Sequence, residues 1–297
     1  MRIITRGDFD GLVCSVLLSD VEKINDILFV HPQMIQKREV DVTGEDIIVN
    51  LPHHPDCAIW FDHHISEREY GSKPDSFKGK FGVAPSCARL IYDHYADPSW
   101  KRYEGLMEAV DRIDSAQLSL NDILRPEGWV RLSCTVDPRT GFAPSREYFI
   151  SLIEWIRELP LEKIMAQDDV KNRAREFFKA QVEFQESLIK NTRQDGYVVV
   201  TDFRKLPVTP IGSRFLVYAL FPTAHSSTRA FWAGSDKRRI TIAVGHSIIN
   251  RTCKVDVGAL MAEYGGGGHR GAGSCQAAVE EADDAIHAIV EKLNAIM

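Results

Sequence analysis

Short apolar runs open the chain and alternate with helix-spaced segments. Ile3-Ile4-Thr5 predicts a strand and Gly11 to Leu18 a helix. Asp46-Ile47-Ile48-Val49-Asn50 predicts a second strand. Cys57-Ala58-Ile59-Trp60-Phe61 predicts a third, which stops at Asp62-His63-His64. Pro85 to Asp93 carries Ala88, Leu90 and Ile91 at helical spacing. Strands alternating with helices predict an α/β fold with a parallel sheet. In such sheets ligands gather at the carboxyl ends of the strands, and Asp8, Asn50 and Asp62 all fall there.

From about Glu147 to Asn191 the period is helical, with Pro160 starting a new segment. Val170, Ala174, Phe177, Phe178, Val182, Leu188 and Ile189 mark a long amphipathic helix that stops at Gln194-Asp195-Gly196. A boundary there gives an N-terminal domain with its helical connector over 1–192 and a smaller C-terminal α/β domain with a mixed sheet over 193–297. In the second domain Tyr197 to Thr201 reads as a strand and Gly212 to Phe221 as a helix. Thr228 to Ala233 and Arg239 to Val244 read as a hairpin around Gly234-Ser235-Asp236. Val257 to Tyr264 is helical, GGGGHRGAGSC (265–275) follows, and a last helix runs from Ala282 to Ile296.

Composition narrows the function classes. At 297 residues, 44% hydrophobic and 26% charged, the chain reads as an ordinary globular protein. No apolar run reaches the roughly 20 residues that span a bilayer, and no signal peptide is evident, so a cytoplasmic protein without a membrane partner is expected. The six cysteines form no CxxC pair, which argues against a zinc ribbon and a disulfide framework. They are expected to be reduced and mostly buried. The net charge of −6 disfavours coating long nucleic acid, so an anionic substrate must be held by a local cluster.

Four motifs carry candidate chemistry. In Asp8-Phe9-Asp10-Gly11, two carboxylates follow the first strand. They face one way if the strand persists, and Gly11 lets the chain turn into a helix. A plain turn, with Asp10 as the helix cap, explains the motif about as well. In Asp62-His63-His64, Asp62 is placed to orient an imidazole, His63 to bind a metal and His64 to face substrate; two solvated loop histidines are the alternative. Asp111 and Asp114 lie three apart on a helix, sharing one side or simply forming an acidic helix end. In the glycine run, backbone N–H groups at Gly267 and Gly268, with His269 and Arg270, suit a phosphate or carboxylate better than they suit a linker. Asp oxygen with His nitrogen suits manganese, iron(II), zinc or cobalt, and a carboxylate-rich set leans to manganese.

The ordered set DFDG, FDHH, a helical Asp and GGGGHRGAG resembles the DHH phosphoesterase superfamily with its DHH-associated C-terminal domain, over nearly the whole chain. Members include RecJ exonuclease, oligoribonucleases, cyclic dinucleotide phosphodiesterases and exopolyphosphatase-like proteins. The resemblance implies phosphoester or phosphoanhydride hydrolysis with manganese, one or two ions, with magnesium, cobalt or zinc as alternatives, in a cleft between the domains. It assigns Asp8 and Asp10 to the first metal-binding motif, Asp62-His63-His64 to the signature triplet, Asp114 or else Asp111 to the fourth motif, and His269-Arg270 to substrate. Arg251 matches a substrate-backbone contact loosely.

Two positions depart from the family pattern. Arg6 stands two residues before Asp8, where a His or Asp is usual, and Asn50 replaces a metal-bridging Asp. The site that uses Asp8 is therefore expected to be weakened, with Asp10, Asn50, His63 and Asp114 left to hold a single ion and Arg6 supplying part of the missing positive charge to a phosphate. His53 or His54 is a speculative replacement ligand. The expected function is a metal-dependent phosphoesterase that cleaves a phosphodiester in a small substrate such as a short single-stranded oligonucleotide, with a metal-bound water as nucleophile and His64 and Asp62 in the catalytic set. An exopolyphosphatase and a non-catalytic phosphate- or nucleotide-binding protein are the alternatives. The oligomeric state is open, a homodimer included.

Overall fold

The computed structural model describes residues 1–64 and 76–295, so the last residue of the expected final helix, Ile296, lies outside them. The chain divides into two compact units, Met1–Leu118 with Pro126–Phe177, and Ser119–Arg125 with Phe178–Met297.

The first unit is built on strands β1 (Arg2–Thr5), β2 (Asp26–Phe29), β3 (Asp46–Val49), β4 (Ile59–Asp62) and β5 (Gly79–Phe81). They lie in the order β2-β1-β3-β4-β5, all parallel. Its helices are α1 (Phe9–Val21), α2 (Pro32–Gln36), α3 (Cys87–Tyr95) and α4 (Glu104–Asp114); α5 (Leu120–Leu124) belongs to the second unit. Then come α6 (Gly128–Ser133), α7 (Arg146–Glu158), α8 (Leu161–Met165) and α9 (Asp168–Asn191). The parallel sheet follows the expectation; β2 and β5 were not anticipated from the pattern.

Helix α1 is buried at every position from Phe9 to Leu18 and packs against α3 and α7. An all-round apolar helix belongs inside. Strand β1 ends at Thr5, so Asp8 and Asp10 do not share a strand face. The cap reading is corrected as well: Asp8 Oδ1 accepts from Gly11 N at 3.0 Å, and Asp10 lies inside the first turn. A Cβ on Gly11 would fall 2.2 Å from the Arg6 carbonyl oxygen. Gly11→Ala is therefore expected to cost about 1–3 kcal/mol or more, read as a lowered urea midpoint at unchanged slope.

The second unit carries β6 (Thr192–Asp195), β7 (Val198–Asp202), β8 (Ser226–Trp232), β9 (Arg239–His246), β10 (Gly267–His269) and β11 (Ala272–Ala278). Their order is β10-β11-β9-β8-β7-β6, a mixed sheet in which β7 and β8 are parallel and the other pairs antiparallel. Its other helices are α10 (Leu216–Leu220), α11 (Val257–Ala262) and α12 (Ala282–Ala295). The expected β8–β9 hairpin forms. The long helix stops earlier than its stop signal implied, at Asn191, because Thr192 to Asp195 pair with β7 across a turn at Gly196 (φ 59°). The expected helix over 212–221 contracts to Leu216–Leu220, after Pro207, Pro210 and Gly212. The glycine run is a β10–β11 hairpin, not a linker.

Among the described residues no helix is long and apolar enough to cross a membrane. All six cysteines are free, with Cys14, Cys87 and Cys275 buried.

Candidate metal centre

Side chains from three strand ends and two helices meet at the carboxyl edge of the parallel sheet. Asp10 reaches the N-terminus of α3: its Oδ2 accepts from Cys87 N and its Oδ1 from Ala88 N, both at 2.9 Å. A helix N-terminus offers unpaired N–H groups and a favourable dipole to an anion, so Asp10 is held where it points. Ser86 caps that helix through Arg89 N and donates to Asp111 Oδ1 at 2.6 Å. Asp111 Oδ2 accepts from Arg89 Nε and Nη2, at 2.9 and 2.7 Å. Asp111 is thus committed to anchoring α3, and the structure brings Asp114, not Asp111, to the cluster.

His63 follows β4. Its Nδ1 donates to the Ala84 carbonyl at 3.0 Å. A carbonyl only accepts, so this contact fixes the tautomer and turns the Nε2 lone pair inward. Nε2 lies 3.0 Å from Asp114 Oδ2 and 3.8 Å from Asp10 Oδ2, buried and without a hydrogen bond to either. A lone pair facing two carboxylates is repulsive unless a proton or a cation lies between. Asp10, His63 and Asp114 offer ligand atoms all within 4.8 Å of one another. The buried Asn50 Oδ1, which has no partner, is a third oxygen, and a fourth candidate ligand atom, at the same sheet edge. The residues present therefore fit a hard or borderline divalent cation.

The titration of these groups follows from the same geometry. Burial, then the Asp114 charge, push the Asp10 carboxyl up to about 7. Burial pulls the His63 imidazole down, but the Asp114 and Asp10 carboxylates outweigh it and push it up to about 10. Burial raises Asp114, but His63 overrides it and holds the carboxyl below its usual range. His63 thus keeps in the folded chain a proton that it loses near 6.5 when unfolded. A raised histidine contributes stability that is complete below 6.5 and disappears as pH rises towards 10. A divalent cation that replaces this proton is expected to raise the melting temperature more at pH 9 than at pH 6. An equal rise at both would place the binding site elsewhere.

Asp8 is occupied differently. Its Oδ1 accepts from Gly11 N and from Asn50 Nδ2, the latter at 3.2 Å, and its Oδ2 lies 3.3 Å from Arg6 Nε. Every oxygen of Asp8 already faces a donor, so the structure groups Asp8 with Arg6 and Asn50 and leaves it out of the cation cluster. Asp62 is fully buried, and its Oδ1 accepts from His64 Nδ1 at 2.7 Å. Burial pulls His64 down, but Asp62 outweighs it and holds the imidazole above its usual range. The His64 side chain is 40% exposed, its ring at the edge of the site. His53 packs edge-on against Trp60 and His54 turns to Asp56, so neither replaces a ligand.

One residue was missed by the sequence reading. Arg139, whose Nε donates to Asp137 Oδ1 at 3.0 Å, sits where burial lowers its guanidinium but the charges of Asp137, Asp8 and Asp114 raise it above the usual range. A lone Arg in Asp-Pro-Arg-Thr gives no sequence signal; only the fold carries it to Asp8.

The remaining expected residues lie in the second unit. Gly267, Gly268 and His269 form β10, exposed, and the His269 Nδ1 accepts from Gly271 N at 3.2 Å. A Cβ on Gly268 would fall 2.3 Å from the Ala272 carbonyl oxygen, so the run needs glycine there. Arg270 is exposed, and Arg251 Nε donates to the Ile248 carbonyl at 3.0 Å. Phe231 is half-buried, and Trp232 packs on the core and donates to the Arg204 carbonyl.

No family model matches the chain. No curated protein matches it either. Among solved structures it is similar to the pGpG-specific phosphodiesterase PggH from Vibrio cholerae, with 36% identity and a TM-score of 0.84 over 100% of this chain and 99% of that one. An exopolyphosphatase-related protein from Bacteroides fragilis shares the fold at 15% identity and a TM-score of 0.53, over 99% of this chain and 92% of that one. A DHH domain from a member of a family of ribosomal proteins shares it at 13% identity and a TM-score of 0.62, over 99% and 87%. Full-length likeness at 36% identity, with Asp10, His63 and Asp114 gathered at the end of a parallel sheet, makes this chain a member of the DHH phosphoesterase superfamily.

Proposed function

We propose that the chain is a manganese-dependent phosphodiesterase that hydrolyses short linear dinucleotides carrying a 5′-phosphate, with pGpG as the substrate to test first. One observation carries the substrate: the full-length relative at 36% identity is named for pGpG. The chemistry rests on the Asp10-His63-Asp114 cluster.

Asp10, His63 and Asp114, with Asn50 Oδ1, would hold one ion. Three oxygens and one imidazole favour manganese over the softer metals. Once bound, such a cation supplies Lewis acidity towards water and a phosphoryl oxygen. The chain's own groups do the rest. Asp62 accepts from His64 Nδ1–H and favours the imidazolium, and in that protonated form His64 Nε2–H can donate to an anionic phosphoryl oxygen. Arg6, beside Asp8, and Arg139 place fixed positive charge where a dianionic substrate needs it. A substrate role for His269 and Arg270 of the second unit is part of the same proposal. Six free cysteines agree with a reducing, cytoplasmic setting.

Purified full-length protein is expected to convert pGpG to GMP with added manganese and to lose that turnover with chelator. Turnover of polyphosphate in place of pGpG would replace this reading with the phosphoanhydride one. Binding of pGpG without turnover under manganese, magnesium, cobalt or zinc would make the chain a nucleotide-binding protein.

A further inference from the structure

A cavity of about 550 Å³ opens within the second unit, between the β6–β7 edge of its sheet and the first turns of α12. Its floor is aliphatic: Val200, Ala230 and Ile286 are buried members of the unit's core. One wall is fixed by Arg204. Its Nε donates to Asp202 Oδ1 at 2.9 Å, and its Nη2 donates to Asp202 Oδ2 at 2.7 Å and to Asp283 Oδ1 at 2.6 Å. This clasp ties the end of β7 to the first turn of α12 and engages both carboxylates of the lining.

Three further cations stand on the rim, Lys190, Arg193 and Lys205. Arg193 lies opposite Val200 in the β6–β7 ladder, so it shares the face that α12 covers. Its partner Asp195 and the Lys190 partner Glu186 lie outside the cavity, and all four of these side chains are exposed. Exposed pairs of this kind are worth little and yield readily to another anion. Lys205 is exposed and pairs with no carboxylate among the described residues. Among those residues the lining holds four cations against two carboxylates, in a protein whose net charge is −6.

The cavity is also remote from the glycine run within the same sheet. Strands β10 and β11 form one edge and β6 the other. Along the strands, Ala272 beside the hairpin turn aligns through Gly245 with Ser227, near the start of β8. Ala230 and Asp202 align near the ends of β8 and β7. The two places are diagonal opposites.

We infer that this cavity is a second nucleotide site, which takes a nucleoside monophosphate. Its phosphate meets Lys190, Arg193 and Lys205, and its sugar and base lie on the aliphatic floor. A small-molecule site typically encloses roughly 300–1,000 Å³, far more than a bare phosphate fills. A dianionic monoester supplies the counter-charge that the rim lacks, through charge-assisted hydrogen bonds.

Calorimetric titration of full-length, chelator-treated protein tests this, with GMP as the probe. GMP is expected to bind about tenfold or more tightly than guanosine or inorganic phosphate. Arg193→Gln combined with Lys205→Gln is expected to weaken GMP by about tenfold or more. Both side chains are exposed, so the ligand-free melting temperature of that double variant should match the wild type. Arg193→Lys combined with Lys205→Arg keeps the charge and should keep most of the affinity. Arg270→Gln alters the glycine run and should leave GMP affinity unchanged. GMP affinity that survives the double Gln variant, guanosine or phosphate bound as tightly as GMP, or GMP binding lost in Arg270→Gln would each refute the inference. So would a wild type that binds no GMP at about 1 mM. None of these outcomes involves turnover of pGpG, so failure of the phosphodiesterase reading would leave this site standing.

Discussion

Asp114→Asn is expected to abolish the proposed manganese-dependent hydrolysis, while Asp111→Asn keeps it and loses stability instead. The two residues sit one turn apart on α4, yet their surroundings differ. Asp114 Oδ2 faces His63 Nε2 at 3.0 Å and is part of the cluster. An amide there removes one of three anionic or imidazole ligands. The cation's contribution to the transition state is worth several kcal/mol, so activity should fall on the order of 10³-fold or more. Asp111 instead joins Ser86 and Arg89 at the start of α3. An amide there loses one charge-assisted pair with the partly exposed Arg89 and should lower the melting point by a few degrees, about 1–2 kcal/mol. His63→Ala should behave like Asp114→Asn. The measurements are initial rates and metal content on folded variants. If Asp111→Asn is the inactive one, the cluster has been assigned to the wrong carboxylate.

The contrast between Asp111 and Asp114 marks the limit of what the sequence could say. A three-residue spacing puts both on one side of a helix and goes no further. What separates them is Ser86-Cys87-Ala88-Arg89, a helix start that takes Asp111 through Ser86 and Arg89 and Asp10 through its backbone N–H groups. The cap residue Ser86 is visible in the sequence; that its helix points at Asp10 is a tertiary fact. The parallel sheet and the strand-end positions of Asp8, Asn50 and Asp62 were legible because apolar runs and their polar stops are local signals. Strands β2, β5 and β6 were not, being three or four residues long and defined mainly by the neighbour they pair with. Arg139 was invisible for a related reason: its pairing with Asp137 is local, but its approach to the charges of Asp8 and Asp114 exists only in three dimensions.

The second large effect is expected at Asn50. This residue follows β3 in a left-handed conformation (φ 56°), which Asn and Asp both tolerate, and its backbone N–H donates to the Phe61 carbonyl. Backbone strain therefore does not separate Asn50→Asp from the wild type; electrostatics does. Asn50 Nδ2 donates to Asp8 Oδ1 at 3.2 Å in a site where both residues are buried. Asn50→Asp replaces that donor with a second carboxylate oxygen. Two buried carboxylates in contact must either take up a proton or incur several kcal/mol of repulsion and desolvation. In the metal-free protein the melting temperature should fall on the order of 10 °C, from about 3–5 kcal/mol. Added manganese should reverse the fall, because the Asp8 carboxylate and the newly introduced one then share a cation, and metal analysis should rise from one ion per chain to two. Arg6, 3.3 Å from Asp8 Oδ2, opposes that second ion, so Arg6→Ala added to Asn50→Asp should tighten it further. A metal-free Asn50→Asp that melts with the wild type, or one that stays at a single ion under excess manganese, would overturn the proposal that Asn50 and Arg6 limit this chain to one cation.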